Sequence, residues 1–125
     1  MTTQGEAAQS LADQWPFHFR DPRDPRIAEL IASDETVHSP DVIRHFANAD
    51  YGGIEVEDRL AEITRPVLVL AGRHDRTCVP EGAEIMARGI ARSELVIFEQ
   101  SAHMMFVEEQ QAYLEAVRDF LSRTR

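Results

Sequence analysis

The stretch Pro66–Gly72, "PVLVLAG", narrows the fold of this chain more than any other. It is an unbroken run of β-branched and leucine residues, too short for a helix and apolar at odd and even positions alike. A strand with one wet face would alternate, so a run apolar on both faces reads as a parallel strand covered on both sides. A second such run, "ELVIFE", occupies Glu94–Glu99. Between the two, residues 80–90 place Ala83, Met86, Ala87 and Ile90 on one helical face. From about Glu108 to Ser122, the residues Tyr113, Ala116, Val117, Phe120 and Leu121 recur at helical spacing. Strand, helix, strand, helix predicts an α/β fold containing a parallel βαβα unit with a right-handed crossover.

The first half contains no convincing strand. Residues 1–14 are polar with small residues interspersed, and the very start is expected to fray. "QWPFHFRDPRDPR" is aromatic first and then interrupted by Pro16, Pro22 and Pro25, which remove amide donors and push the preceding residues out of helical geometry. This is irregular chain whose aromatics must pack on something. Ile27, Leu30 and Ile31 predict a short helix over 26–33. Ser39, Pro40 and Asp41 form a helix start, followed by an apolar face of Val42, Ile43, Phe46 and Ala47. "DYGG" at 50–53 reads as a turn and "EVEDRLAEI" as a short helix or helical turn. The expected division is a helical cap-like segment and connector over residues 1–63 and an α/β portion over residues 64–125.

With 125 residues, the chain has the size of one domain. Its formal net charge is −9 and it has no lysine, so no basic face is available for nucleic acid. The longest apolar run is far short of the ~20 residues a membrane helix needs. The N-terminus has neither the basic nor the apolar region of a secretory signal. Cys78 is the only cysteine, which rules out an internal disulfide and suits a reducing compartment. A cytoplasmic protein with neither membrane nor nucleic-acid partners is the expectation.

In a parallel α/β sheet, functional groups gather where strands run out into loops at their C-terminal ends. Asp75 lies just past the first strand and His103 just past the second, 28 positions on. That interval suits a loop, a helix and a strand, and neighbouring parallel strands would set the two loops side by side. A carboxylate beside an imidazole accepts the Nδ1 proton, fixes the tautomer and leaves Nε2 as a general base. Asp75 and His103 are therefore the candidate catalytic residues. The other candidates have plainer uses. His74 shapes the loop or faces solvent, Ser101 is structural, and Cys78 reads as a buried small residue, since no glycine turn at a helix start activates it. Met104, Met105 and Phe106 are core or pocket wall, and Trp15, Phe17 and Phe19 read as ordinary cap packing, with the lining of an acyl or side-chain pocket as the alternative. His18, His38 and His45 are scattered without metal-ligand spacing, so no metal is expected.

These residues resemble the C-terminal end of an α/β-hydrolase, in its proline-iminopeptidase-like and haloperoxidase-like branch. "PVLVLAGRHD" is similar to the family's penultimate core strand, whose Gly-x-x-Asp turn, here Gly72 to Asp75, presents the triad acid. "SAHMMFVEE" is similar to the last strand's loop, with His103 at the triad histidine and Glu108 at a frequent acidic position opening the final helix. Residues 10–63 resemble, far less specifically, the helical cap and connector. Ala102 departs from the pattern, because a glycine commonly precedes the histidine.

The family's nucleophile stands in a Gly-x-Ser-x-Gly turn, and this chain has none: Ser10, Ser33, Ser39, Ser93, Ser101 and Ser122 all lack the flanking glycines. The resemblance therefore implies a partial α/β-hydrolase fold that carries the acid and the histidine, with nucleophile and oxyanion hole elsewhere. It implies ester, amide or related bond hydrolysis through an acyl-enzyme, with no metal or organic cofactor. The chain alone is expected to be inactive. Its expected partners are a second copy or the missing N-terminal half, and a small-molecule substrate once completed. The competing expectation is a non-catalytic remnant that binds a partner chain or ligand.

Overall fold

The computed structural model describes residues 3–49 and 54–124. The turn expected at "DYGG" lies outside the described residues. In chain order the elements are α1 (Gln4–Gln14), a 3₁₀ turn (Trp15–His18), α2 (Arg26–Ser33), α3 (Pro40–Ala49), a second 3₁₀ turn (Glu57–Glu62), β1 (Val67–Gly72), α4 (Pro80–Gly89), β2 (Ser93–Phe98), the single-turn α5 (Met105–Glu108) and α6 (Gln110–Arg123). Among the described residues, no helix is long and apolar enough to cross a membrane.

β1 and β2 pair in parallel, with Val67 opposite Ser93 and Gly72 opposite Phe98, so both strands end at the same level. The strand period of two then sorts the layers. Val69 and Ala71 face Ala83 of α4 and form a small core with Val67 and Leu95. Residues on the alternate face of β2 meet α6: Phe98 lies against Tyr113, and Glu94 pairs with Arg123 through two bonds of 2.7 and 2.8 Å. Covering both faces explains why neither strand alternates in polarity. Burial is nevertheless incomplete, and Leu68, Leu70, Val96 and Ile97 are only half-buried.

The first half is helical, as its pattern predicts. α1 is an element that apolar periodicity did not announce. It is set by a capping box in which Thr3 Oγ1 accepts from the Glu6 amide while the Glu6 carboxylate accepts from the Thr3 amide. The helix predicted over 26–33 is α2, and its Ile27 joins Phe19 and Met104 in a second small core, with Trp15, Leu30 and Val107 packed around it. Phe19 is fully buried, a contribution of roughly 2–3 kcal/mol. α3 starts at the expected place, with Ser39 Oγ accepting from the Val42 amide at 3.4 Å. Its predicted apolar face stays largely uncovered, since Val42 is 54% and Phe46 44% exposed.

Candidate active site at the strand ends

Because β1 and β2 end level, the loops that leave them emerge side by side. Gly72 lets them touch. A Cβ at this position would lie 1.9 Å from the carbonyl oxygen of Ala102 and 2.7 Å from that of Ser101, so only a residue without a side chain fits. Its φ is not in the left-handed region; close approach of backbone, not conformation, is what demands glycine. Just beyond, the amide of His74 donates to the Ser101 carbonyl at 2.9 Å and closes the contact.

Asp75 sits in the turn that follows. Its Oδ1 accepts from the amides of Thr77 and Cys78, each at 2.9 Å, the local pairing through which an aspartate shapes its own turn. Its Oδ2 stands 2.9 Å from Nδ1 of His103. The carboxylate thus selects the tautomer that carries the proton on Nδ1 and leaves the lone pair on Nε2. The Asp75 side chain is 2% exposed and that of His103 is 39%, so the acid is enclosed while the imidazole keeps an open edge.

Two acids of α5 and its C-terminal edge hold the histidine loop. Glu108 Oε1 accepts from the Ala102 amide at 2.9 Å, and Glu109 Oε2 accepts from the Gln100 amide at 3.1 Å and the Ser101 hydroxyl at 2.6 Å. Ser101 is fully buried and structural in this sense. No non-glycine residue among those described has a positive φ, so Ala102 fits the place where the family pattern commonly has glycine. His74 is exposed, with Nε2 3.1 Å from the Glu99 carbonyl oxygen, and shapes the loop.

A third segment, residues 17–20, closes over this pair, a docking place that no spacing in the sequence specifies. The Met104 amide donates to the His18 carbonyl at 3.1 Å, and the Arg20 amide to Glu108 Oε2 at 2.9 Å. From the acid loop, the Arg76 guanidinium donates to the carbonyls of Phe17, Phe19 and Arg20 at 3.2, 2.9 and 3.2 Å. The His18 ring therefore lies against His103, with centroids 5.0 Å apart and planes tilted by 48°. Its Nδ1 is buried without a hydrogen-bond partner among the described residues. Burial, and then the neighbouring His103, push the His18 pKa down, while Asp75 opposes this. No local spacing links position 18 to position 103; only the "WPFHF" cluster, aromatic ahead of a proline-broken loop, marks the segment as one that must dock.

The reading of Cys78 as a buried residue is corrected: it is exposed. Accepting the Cys78 amide on Asp75 Oδ1 turns the residue outward at the rim of a cleft of about 620 Å³. Leu70, Ala71, Val79, Ala83 and Met86 give the cleft an apolar wall, and Asp75, Cys78 and His103 stand at its polar end. Met105 lines the same cleft, whereas Met104 is core and Phe106 is exposed. Partial burial of the thiol, and then the Asp75 carboxylate, push the Cys78 pKa up.

The family described as serine aminopeptidase, S33, matches residues 17–110. The chain is 38% identical over 69 residues to a proline iminopeptidase of Saccharolobus solfataricus, covering 55% of this chain and 22% of that protein. It is 41% identical over 70 residues to one of Clostridioides difficile, covering 56% and 24%. Among solved structures, an esterase from Exiguobacterium antarcticum superimposes with a TM-score of 0.77 at 24% identity, over 95% of this chain and 44% of that one. A hydrolase from Pseudomonas aeruginosa gives 0.73 at 27% identity, over 97% and 45%. The chain thus spans about a quarter of the length of these curated relatives and under half of these solved structures. From the parallel strand pair, the loops at its end and the match over residues 17–110, this chain belongs to the serine aminopeptidase S33 family, as a partial α/β-hydrolase of the proline-iminopeptidase-like branch.

Proposed function

We propose that this chain supplies the acid and the base of a Ser–His–Asp triad, Asp75 and His103, to a hydrolase whose serine and oxyanion donors lie on an N-terminal half. In the assembled site the serine hydroxyl attacks an ester or amide carbonyl. His103 Nε2 takes the serine proton and returns it to the leaving group, while Asp75 holds the ring and stabilises the imidazolium. Water then attacks the acyl-enzyme by the same route in reverse. The names of the relatives favour an aminopeptidase-like amide substrate, and the helical segment before β1 acts as its cap.

What supports the reading is the 2.9 Å contact between Asp75 Oδ2 and His103 Nδ1, backed by two amides on the other carboxylate oxygen. By itself the chain turns nothing over, because the histidine has no flanked serine to activate. Its partner is a nucleophile-bearing half or, failing that, a second copy. Treatment with a fluorophosphonate probe followed by intact mass is expected to leave the chain unmodified. Stoichiometric labelling of one of its own serines that disappears in His103→Ala would defeat the half-enzyme reading.

A further inference from the structure

We propose that Asp75, Cys78 and His103 form a binding site for a single thiophilic divalent cation of the zinc class. One carboxylate oxygen, the Cys78 sulfur and one imidazole nitrogen all lie within 4.8 Å of one another. A tetrahedral ion with bonds of ~2.0–2.1 Å to oxygen and nitrogen and ~2.3 Å to sulfur sets its ligand atoms ~3.3–3.6 Å apart. The ligand atoms present lie within 4.8 Å of one another, and Asp75 Oδ2 and His103 Nδ1 at 2.9 Å share a proton, so side-chain rotation that parts this hydrogen bond and turns an imidazole lone pair to the ion completes the set. Sulfur, nitrogen and oxygen donors together select zinc-like ions over calcium or magnesium, which take oxygen ligands.

The ligands are also held in advance. Asp75 and Cys78 share one tight turn, and the amides of Thr77 and Cys78 fix the carboxylate through the oxygen that His103 does not use. His103 comes from the second loop, locked against the first at Gly72 and Ala102. The open cleft beside them leaves a fourth position for water or a small anionic ligand. On binding, the Cys78 sulfur loses its proton to solvent and donates to the ion, and His103 gives one ring nitrogen to it. Metal binding does not rest on the hydrolase reading. If that reading holds, an ion here engages the same imidazole and inhibits the completed enzyme.

Cobalt is a spectroscopic stand-in. The full chain, stripped with chelator, is titrated with Co²⁺ and then with Zn²⁺. The expected result is a thiolate-to-cobalt charge-transfer band that saturates at one ion per chain and is bleached by Zn²⁺. Calorimetric Zn²⁺ affinity is expected to fall about tenfold or more in Cys78→Ser and in His103→Ala, and to stay unchanged in His38→Asn. Cys78 is exposed, so its serine variant keeps the fold, which a thermal melt verifies. Absence of the band, or an affinity that depends on His38 and not on Cys78, overturns the proposal.

Discussion

At Gly72 a single missing Cβ decides whether two loops can meet. Alanine there would strike backbone atoms of Ala102, which cannot swing aside as a side chain would. Overpacking of this kind costs about 1–3 kcal/mol or more, and here the strain falls on the Asp75–His103 contact. Urea unfolding is expected to show Gly72→Ala destabilised by about 3 kcal/mol. Gly82→Ala in α4 is the comparison: its new Cβ meets nothing within 4 Å, and it is expected to be neutral or to stabilise by up to about 1 kcal/mol. Equal costs would mean that the two loops do not touch as described. His18 makes a second residue-level point. Its folded pKa lies below the ordinary 6.5, so the unfolded chain binds that proton more readily. Stability from neutral His18 is therefore complete above the ordinary value and is lost as pH falls through it toward the folded one. In chelator-containing buffer, urea midpoints between about pH 7.5 and about pH 5.5 are expected to fall less in His18→Gln than in the parent. Parallel slopes would remove His18 as a source of acid sensitivity.

Among elements, the decisive join is between the segment at 17–20 and the two strand-end loops. Arg76 holds three carbonyls of that segment, and Met104 and Arg20 add one amide bond each from either side. Arg76→Ala is expected to cost about 1–2 kcal/mol, discounted for its exposure, and to speed amide exchange at Arg20 and Met104 while leaving β1 and β2 unchanged. Exchange that rises uniformly through the strands would point instead to global loosening. Much at this scale was legible beforehand. β1, β2, α2, α4 and α6 each carry a period or an uninterrupted apolar run strong enough to fix their type, and Asp75 and His103 follow from where those strands stop. The N-terminal helix was not, because a Thr3–Glu6 cap, and not an apolar stripe, defines it. Nor was His18 beside His103, since contacts between residues so far apart in sequence leave no local pattern. Cys78 is exposed, not buried as its sequence context suggests, because the polar turn at Asp75, not the helix after it, sets which way it points.

For the whole molecule, the two strands leave two unpaired edges among the described residues, and large apolar side chains are exposed on the surface. Ile54 is 75%, Leu121 57% and Val79 50% exposed. Surface of this kind, at ~25 cal/mol per Å² of apolar area, rewards association with another chain. Sedimentation at low micromolar concentration is expected to give a homodimer or, with the nucleophile-bearing half present, a heterodimer. A compact monomer with a single cooperative melt would sink this expectation and show that the helices suffice to cover the sheet.

The meeting of backbone with backbone at Gly72 and Ala102 makes the alignment of Asp75 with His103 a local property of two loops. Every contact that aligns Asp75 with His103 lies within this one chain, so the entropy of ordering the two loops is already spent before any partner arrives. A cut between the two loops would separate the acid from the imidazole and leave each to find its geometry anew. A partner that docks on this chain would therefore meet an acid and an imidazole already aligned, and its docking would have no loop geometry left to create.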